Sequence, residues 1–155
     1  KLLQENKIRV RKRTEIWNED LTEKNNLNLD FNEIDVVFGD SIGEMFFYLS
    51  LCQFVVMGGG FSKKGSHNII EPLLLKKSVL VGPYTQTIEY PVKEALEYGI
   101  IQQAMGSLQL HNCVKETLSG NWRETDKERI NCFLSQHNGA SDKILLGVDE
   151  YLNSK

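Results

Sequence analysis

One stretch restricts the fold of this chain more than any other. It runs Cys52-Gln53-Phe54-Val55-Val56-Met57-Gly58-Gly59-Gly60, then Phe61-Ser62-Lys63-Lys64-Gly65-Ser66-His67, then Asn68-Ile69-Ile70-Glu71-Pro72. Phe54 to Met57 is a short apolar run rich in β-branched residues, the pattern of a buried strand. The three glycines at its end let the backbone turn and approach another group with no Cβ in the way. Asn68 with Glu71 three positions on then signals a helix start, an N-cap residue with its capping-box glutamate. Leu73, Leu74 and Leu75 supply the apolar body of that helix. A strand, a glycine loop and a helix start make an anion site, because the first amides of a helix lack partners and its N-terminal end is positive. The stretch predicts the nucleotide crevice of an α/β domain.

The rest of the chain repeats this alternation. Residues 8–13 alternate enough to form a strand, and Arg9, Arg11, Lys12 and Arg13 place it at a solvated edge. Residues 18–32 are polar and aperiodic and read as a surface loop. A second strand spans 34–38. After it, Gly39-Asp40-Ser41-Ile42-Gly43-Glu44 carries another capping-box signal, Ser41 with Glu44, ahead of an apolar helix over 45–51. The glycine stretch leads into a helix over 69–76 and a strand over 78–81 that Gly82-Pro83 ends. A helix over 87–98 follows, with Pro91 in its first turn and Gly99 as its C-cap. A last short strand covers 100–102, and three helical patterns close the chain at 108–118, 126–136 and 142–152. This order predicts a Rossmann-like, mostly parallel sheet with helices on both faces and a helical C-terminal tail. Ligands of such sheets bind at the carboxyl ends of the strands, and both capping-box loops fall there.

At 155 residues the chain supports one domain with a full core. It opens on Lys1-Leu2-Leu3-Gln4-Glu5-Asn6, without an initiator methionine, like the tail of a helix already under way. The expectation is a single, N-terminally truncated domain. A net charge of −3 argues against a nucleic-acid partner, which asks for a basic face. Cys52, Cys113 and Cys132 are odd in number and widely spaced, which fits free, buried thiols in a reducing, cytosolic compartment. No window approaches the roughly 20 apolar residues of a membrane span.

Two familiar phosphate templates fail. Lys63 stands where GxGxxG needs its third glycine, and Gly65 is followed by Ser66-His67 instead of Lys-Ser/Thr, so neither a dinucleotide fingerprint nor a P-loop is present. The three glycines fit a tight turn as well as a phosphate cradle. Glu71 can return to the Asn68 amide as a cap or accept both hydroxyls of a ribose, and Glu44 carries the same pair of readings. His67 lies in a polar loop with no second metal-ligating residue nearby. Lys63 and Lys64 suit a phosphate or a solvated loop. His111 and His137 lie in helical stretches and take no role. No DxD triplet occurs, so the metal-dependent chemistry tied to it has no support.

In combination the segments are specific. Val37-Phe38-Gly39-Asp40-Ser41-Ile42-Gly43-Glu44, then Val56-Met57-Gly58-Gly59-Gly60, then Gly65-Ser66-His67-Asn68-Ile69-Ile70-Glu71-Pro72, then Val79-Leu80-Val81-Gly82-Pro83 follow in order. This series resembles the C-terminal domain of bacterial 3-deoxy-D-manno-oct-2-ulosonic acid (Kdo) transferases of lipopolysaccharide assembly. That family's pattern runs roughly GDT-M-GE, GGS…GGHNPLEP, VL-GP-T. Asn138-Gly139-Ala140 resembles its NQGA before the last helix, and the likeness covers about residues 34–152.

The resemblance implies half of a GT-B glycosyltransferase, whose C-terminal domain binds CMP-Kdo and whose N-terminal domain binds the lipid A precursor. It implies an inverting reaction, with no cofactor and no metal. The general-base glutamate belongs to the missing N-terminal domain, so no catalytic residue falls in this chain, which alone is expected to be inactive. The implied CMP contacts are Ile42, Gly43, Glu44, Asn68, Ile69, Ile70 and Glu71, with Gly59, Gly60, Gly65 and His67 as a phosphate or loop group. The implied location is the cytoplasmic face of the inner membrane, with membrane association through the missing domain. Ile42 and Ile69 replace the family's Met and Pro, which backbone contacts tolerate. Tyr84 replaces a His whose role does not transfer, and Gln86-Thr87 falls where the family has Asn-Phe. Two alternatives stay open: a GT-B transferase or epimerase using a UDP-sugar, and a non-catalytic α/β interaction module.

Overall fold

A computed structural model describes residues 2–24, 30–119, 125–137 and 140–153. The chain divides into two compact units, Lys1–Tyr48 and Leu49–Lys155.

The first unit contains α1 (Leu2–Glu5), β1 (Val10–Lys12), α2 (Arg13–Ile16), a 3-10 turn at Phe31–Glu33 and β2 (Val36–Phe38). β1 and β2 run parallel, with Val10 opposite Val36 and Lys12 opposite Phe38. Just before the ladder, the Arg9 guanidinium donates to both Asp35 oxygens, at 3.0 Å and 2.8 Å. The expected solvated run 9–13 needs correction at its end. The strand stops at Lys12, and Arg13 opens α2 with its side chain buried. Asp40 holds that helix start: its carboxylate accepts from the Thr14 amide (3.0 Å) and hydroxyl (2.7 Å). These bonds, the hydroxyl first, keep the Asp40 carboxyl below its ordinary pKa. Trp17 meets Phe47 edge-on at 5.3 Å, and Phe47 meets Tyr48 at 5.6 Å, so aromatic contacts serve this small unit as a core.

Helix α3 (Met45–Leu51) begins in the first unit and ends in the second. The second unit then alternates as the pattern predicts: β3 (Phe54–Val56), α4 (Ile70–Leu74), β4 (Ser78–Val81), α5 (Glu89–Glu97), β5 (Ile101–Gln103), α6 (Ser107–Leu118), α7 (Thr125–His137) and α8 (Ala140–Asn153). Its three strands are parallel in the order β3-β4-β5. Central β4 is buried along its whole length, as a strand covered on both faces must be. Val79 and Val81 join Met57, Ile69, Leu73, Val92, Ala95, Ile100 and, from α7, Ile130, Phe133 and Leu134 in one apolar cluster. Pro91 is the third residue of α5. Gly99, at φ +65°, ends that helix as expected: its N–H donates to Leu96 O and that of Ile100 to Ala95 O.

The fold class expected from the sequence is the one observed, with local differences. α4 ends at Leu74, because Lys76 takes a left-handed backbone (φ +56°), and Leu74 faces solvent. β5 lies one residue further on than the apolar run suggests. All three cysteines are free, but none is fully buried: Cys52 and Cys113 are half-buried and Cys132 is exposed. Among the described residues no helix is long and apolar enough to cross a membrane. Asn138 and Gly139 of the NQGA-like segment lie outside the described residues.

Candidate functional site

The expected contacts divide between the units: Ile42, Gly43 and Glu44 in the first, Asn68, Ile69, Ile70 and Glu71 in the second.

In the second unit the glycine loop is held by its own backbone. Gly59 sits at φ +80°, and a Cβ there would lie 2.1 Å from the Gly65 carbonyl oxygen. A Cβ on Gly60 would lie 2.9 Å from the Gly82 nitrogen, and one on Gly82 would lie 2.1 Å from the Gly60 oxygen. The same Gly60 carbonyl accepts the Tyr84 N–H at 2.9 Å. Gly65, at φ +93°, makes room for Thr87, whose hydroxyl donates to Ser66 O at 2.7 Å. The Gln86 amide donates to Lys63 O at 2.9 Å, and the His67 N–H to Gly58 O at 3.3 Å. The glycines therefore let two chain segments cross closely, a use that the sequence pattern could not separate from ligand approach. The Lys63 and Lys64 side chains and the His67 ring face solvent. Among the described residues no cluster of His, Cys, Asp and Glu could hold a metal ion.

This rigid loop delivers the chain to α4. The capping box expected there is not formed. Asn68 Oδ1 accepts the Ile70 N–H at 3.0 Å, a turn closed two residues on, and the helix starts at Ile70, which makes Glu71 its second residue. Among the described residues no hydrogen bond or ion pair engages the Glu71 carboxylate, which is half-buried. Ile69 is wholly buried in the core cluster, main chain included. α4 is five residues long and contributes individual unpaired amides more than an aligned dipole.

In the first unit, the turn after β2 is built around Glu44. Arg13 Nη2 donates to Glu44 Oε1 at 2.6 Å, while Arg13 Nη1 donates to Trp17 O at 3.1 Å. The Ser41 hydroxyl donates to Glu44 Oε2, its oxygen lies 2.6 Å from Tyr48 Oη, and Tyr48 Oη reaches Glu44 Oε2 at 3.5 Å. Ser41 and Glu44 thus meet side chain to side chain, not as the reciprocal cap expected from their spacing. Tyr48 can lie there because residue 39 is glycine: a Cβ at Gly39 would sit 2.9 Å from the Tyr48 ring. Gly43 is at φ +86° with nothing within 4 Å of a built Cβ, and Ile42 is fully exposed. The network leaves the Ile42–Gly43 backbone displayed to solvent above a fixed carboxylate. Arg13 and Tyr48 are the members that sequence reasoning missed. Arg13 lies 31 residues from Glu44, and no local pattern links them.

A parallel α/β unit whose strands end in a glycine crossing and a short helix start has the architecture of nucleotide-binding domains. Comparison with known proteins then gives a particular kinship. No protein-family model matches the chain. It is 28% identical over 120 residues to the 3-deoxy-D-manno-octulosonic acid transferase of Bordetella pertussis, covering 77% of this chain and 28% of that protein. It is 27% identical over 122 residues to the enzyme of the same name from Haemophilus influenzae, covering 76% and 28%. Over 136 residues it is 28% identical to a bifunctional glycosyltransferase/methyltransferase of Fusobacterium nucleatum, covering 88% and 19%. The chain therefore spans under a third of the length of these curated relatives. Among solved structures, the C-terminal CMP-Kdo binding domain of WaaA from Acinetobacter baumannii superposes with a TM-score of 0.67 at 21% identity, covering 86% of this chain and 64% of that one. The resemblance drawn from the motifs is borne out: the chain is similar in sequence to Kdo transferases and has the fold of that C-terminal domain.

Proposed function

We propose that this chain is the donor-binding domain of a Kdo transferase and that it holds the CMP part of CMP-Kdo. The carrying observation is Glu71, a carboxylate with no hydrogen-bond or ion-pair partner among the described residues, at the start of α4 on a loop locked by the Gly60–Gly82 crossing. Its two oxygens suit the two hydroxyls of a ribose. The exposed main chain of Ile42–Gly43 suits cytidine, and the amides of Asn68 and Glu71 suit a phosphate, the Ile70 N–H being held by Asn68 Oδ1. As CMP departs, charge develops on a phosphate, and donors already fixed in place stabilise it without reorganising. Binding the nucleotide rigidly also orients the sugar for attack.

In this reading the full transferase is inverting, its general base and the site for the lipid A precursor lie outside these 155 residues, and it works at the cytoplasmic face of the inner membrane. The chain alone binds nucleotide and transfers nothing. Titration of CMP into the wild-type chain and into Glu71→Ala, followed by NMR, tests it. Shifts at Ile42–Glu44 and Asn68–Glu71, larger for CMP than for UMP and weakened by Glu71→Ala, support the proposal. A preference for UMP would assign a uridine-nucleotide enzyme instead. An unchanged affinity in Glu71→Ala would remove the ribose contact, and no response to either nucleotide would favour an interaction module.

A further inference from the structure

We infer that Glu44 serves nucleotide binding as an anchor and not as a ligand, and that Arg13 is the positioning residue that makes it one. The inference rests on reading the Ser41–Glu44 turn as a nucleotide contact. Two donors already converge on this carboxylate, Arg13 on Oε1 and the Ser41 hydroxyl on Oε2, and the Tyr48 hydroxyl backs Ser41 from 2.6 Å. Both of its oxygens face the protein's own groups, whereas among the described residues no hydrogen bond or ion pair holds the Glu71 carboxylate. What the network holds is the connecting backbone. Gly43 is left-handed with no neighbour to prop it, and Ile42 has no packing of its own. The turn is therefore fixed from one side, through Ser41 and Glu44.

The burial of Arg13 makes it the stiff member. Its side chain is 3% exposed, against 20% for Glu44, and its second N–H group is tied to Trp17 O at the end of α2. A planar guanidinium with two directed contacts sets both the place and the orientation of the carboxylate. Asp40 fixes the start of the same helix through Thr14. Arg13 thus carries the position of α2 to the Ile42–Gly43 main chain and reaches the nucleotide only through Glu44.

The test uses the full chain labelled with nitrogen-15 and carbon-13, with CMP as the probe. In the wild type, CMP should shift the Ile42 and Gly43 amides and leave the Glu44 carboxyl carbon in place. Without ligand, Arg13→Met should turn the Ile42 and Gly43 amides mobile by heteronuclear relaxation while Asn68–Glu71 keep their positions. The CMP affinity of that variant should fall about tenfold, the scale of one lost hydrogen bond. Glu44→Gln keeps the shape, and the Ser41 and Tyr48 hydroxyls can turn to accept from its amide, so its loss should be about threefold. The double variant should bind no worse than Arg13→Met alone. If Arg13→Met does not fold, Arg13→Lys, which keeps the charge but not the second contact, should fall between wild type and Glu44→Gln in the order of the turn.

A CMP-dependent shift of the Glu44 carboxyl carbon, additive losses in the double variant, or a turn that stays ordered in Arg13→Met would each overturn the inference. Absence of any CMP response in the wild type would overturn the nucleotide reading instead, and the ligand-free relaxation would still decide whether Arg13 positions the turn.

Discussion

Gly60 and Gly82 cross backbone to backbone, with the Gly60 oxygen 2.1 Å from the place that a Cβ on Gly82 would occupy. The contact joins the loop after β3 to the end of β4, and the Gly60 carbonyl then takes the Tyr84 N–H. Two glycines that the sequence placed in separate punctuation marks are halves of one joint. Its rigidity sets where Asn68 and α4 begin.

That joint predicts a sharp contrast among glycine substitutions. Gly82→Ala must displace backbone, not a side chain, and should cost about 3 kcal/mol or prevent folding. Gly106, the N-cap residue of α6, has an extended backbone and nothing within 4 Å of a built Cβ. Gly106→Ser should be neutral or stabilising, by about 0.5 kcal/mol, through a new cap. Urea unfolding of the two variants checks both.

Two ion pairs of the first unit should behave oppositely. Glu44→Ala leaves the Arg13 guanidinium buried without its partner and should destabilise that unit by about 3 kcal/mol. Arg9 and Asp35 are both well exposed, and Arg9→Met should lower the thermal midpoint far less than Glu44→Ala does. Thermal denaturation followed at Trp17 compares them, with Trp122→Phe as the background.

Asp35 gives a pH signature. Hydrogen bonds from the Arg9 side chain and then its amide hold its carboxyl down at about 2, against an ordinary value of about 3.9. The folded state favours the ionised carboxylate, so this contribution is complete above about pH 4 and is lost as pH falls from there to about 2. A carboxyl-carbon titration should show the low midpoint, and Arg9→Met, which keeps the amide bond, should raise it towards the ordinary range.

Lys77 closes the end of α3. Its ammonium donates to Cys52 O at 2.7 Å and Ser50 O at 3.3 Å, carbonyls that the helix end leaves open. Lys77→Met should cost about 1 kcal/mol, read by urea titration.

What the sequence made legible was periodic. Short β-branched runs found β3, β4 and β5, and Pro91 and Gly99 marked the two ends of α5, because these signals act on the local backbone. Both capping boxes were right about a helix start and wrong about the bonds, since a side chain with several possible partners takes the one that tertiary structure brings. Ser41 found the Glu44 carboxylate, and Asn68 found the amide of Ile70. Arg13 was illegible for the same reason: its neighbours Arg9, Arg11 and Lys12 are exposed, and its burial depends on a glutamate beyond any local window. The candidate nucleotide segments were found by motif, but the difference between an engaged Glu44 and an unengaged Glu71 exists only in three dimensions.

β3 hydrogen-bonds to β4 on one side, and among the described residues no strand pairs with its other side. Phe54 and Val55 are half-buried and Val56 is exposed. An apolar strand with an open edge recruits other strands. Samples of these 155 residues are expected to grow turbid as they are concentrated for spectroscopy, which light scattering checks. A lysine at position 56 is the simplest way to keep such samples clear.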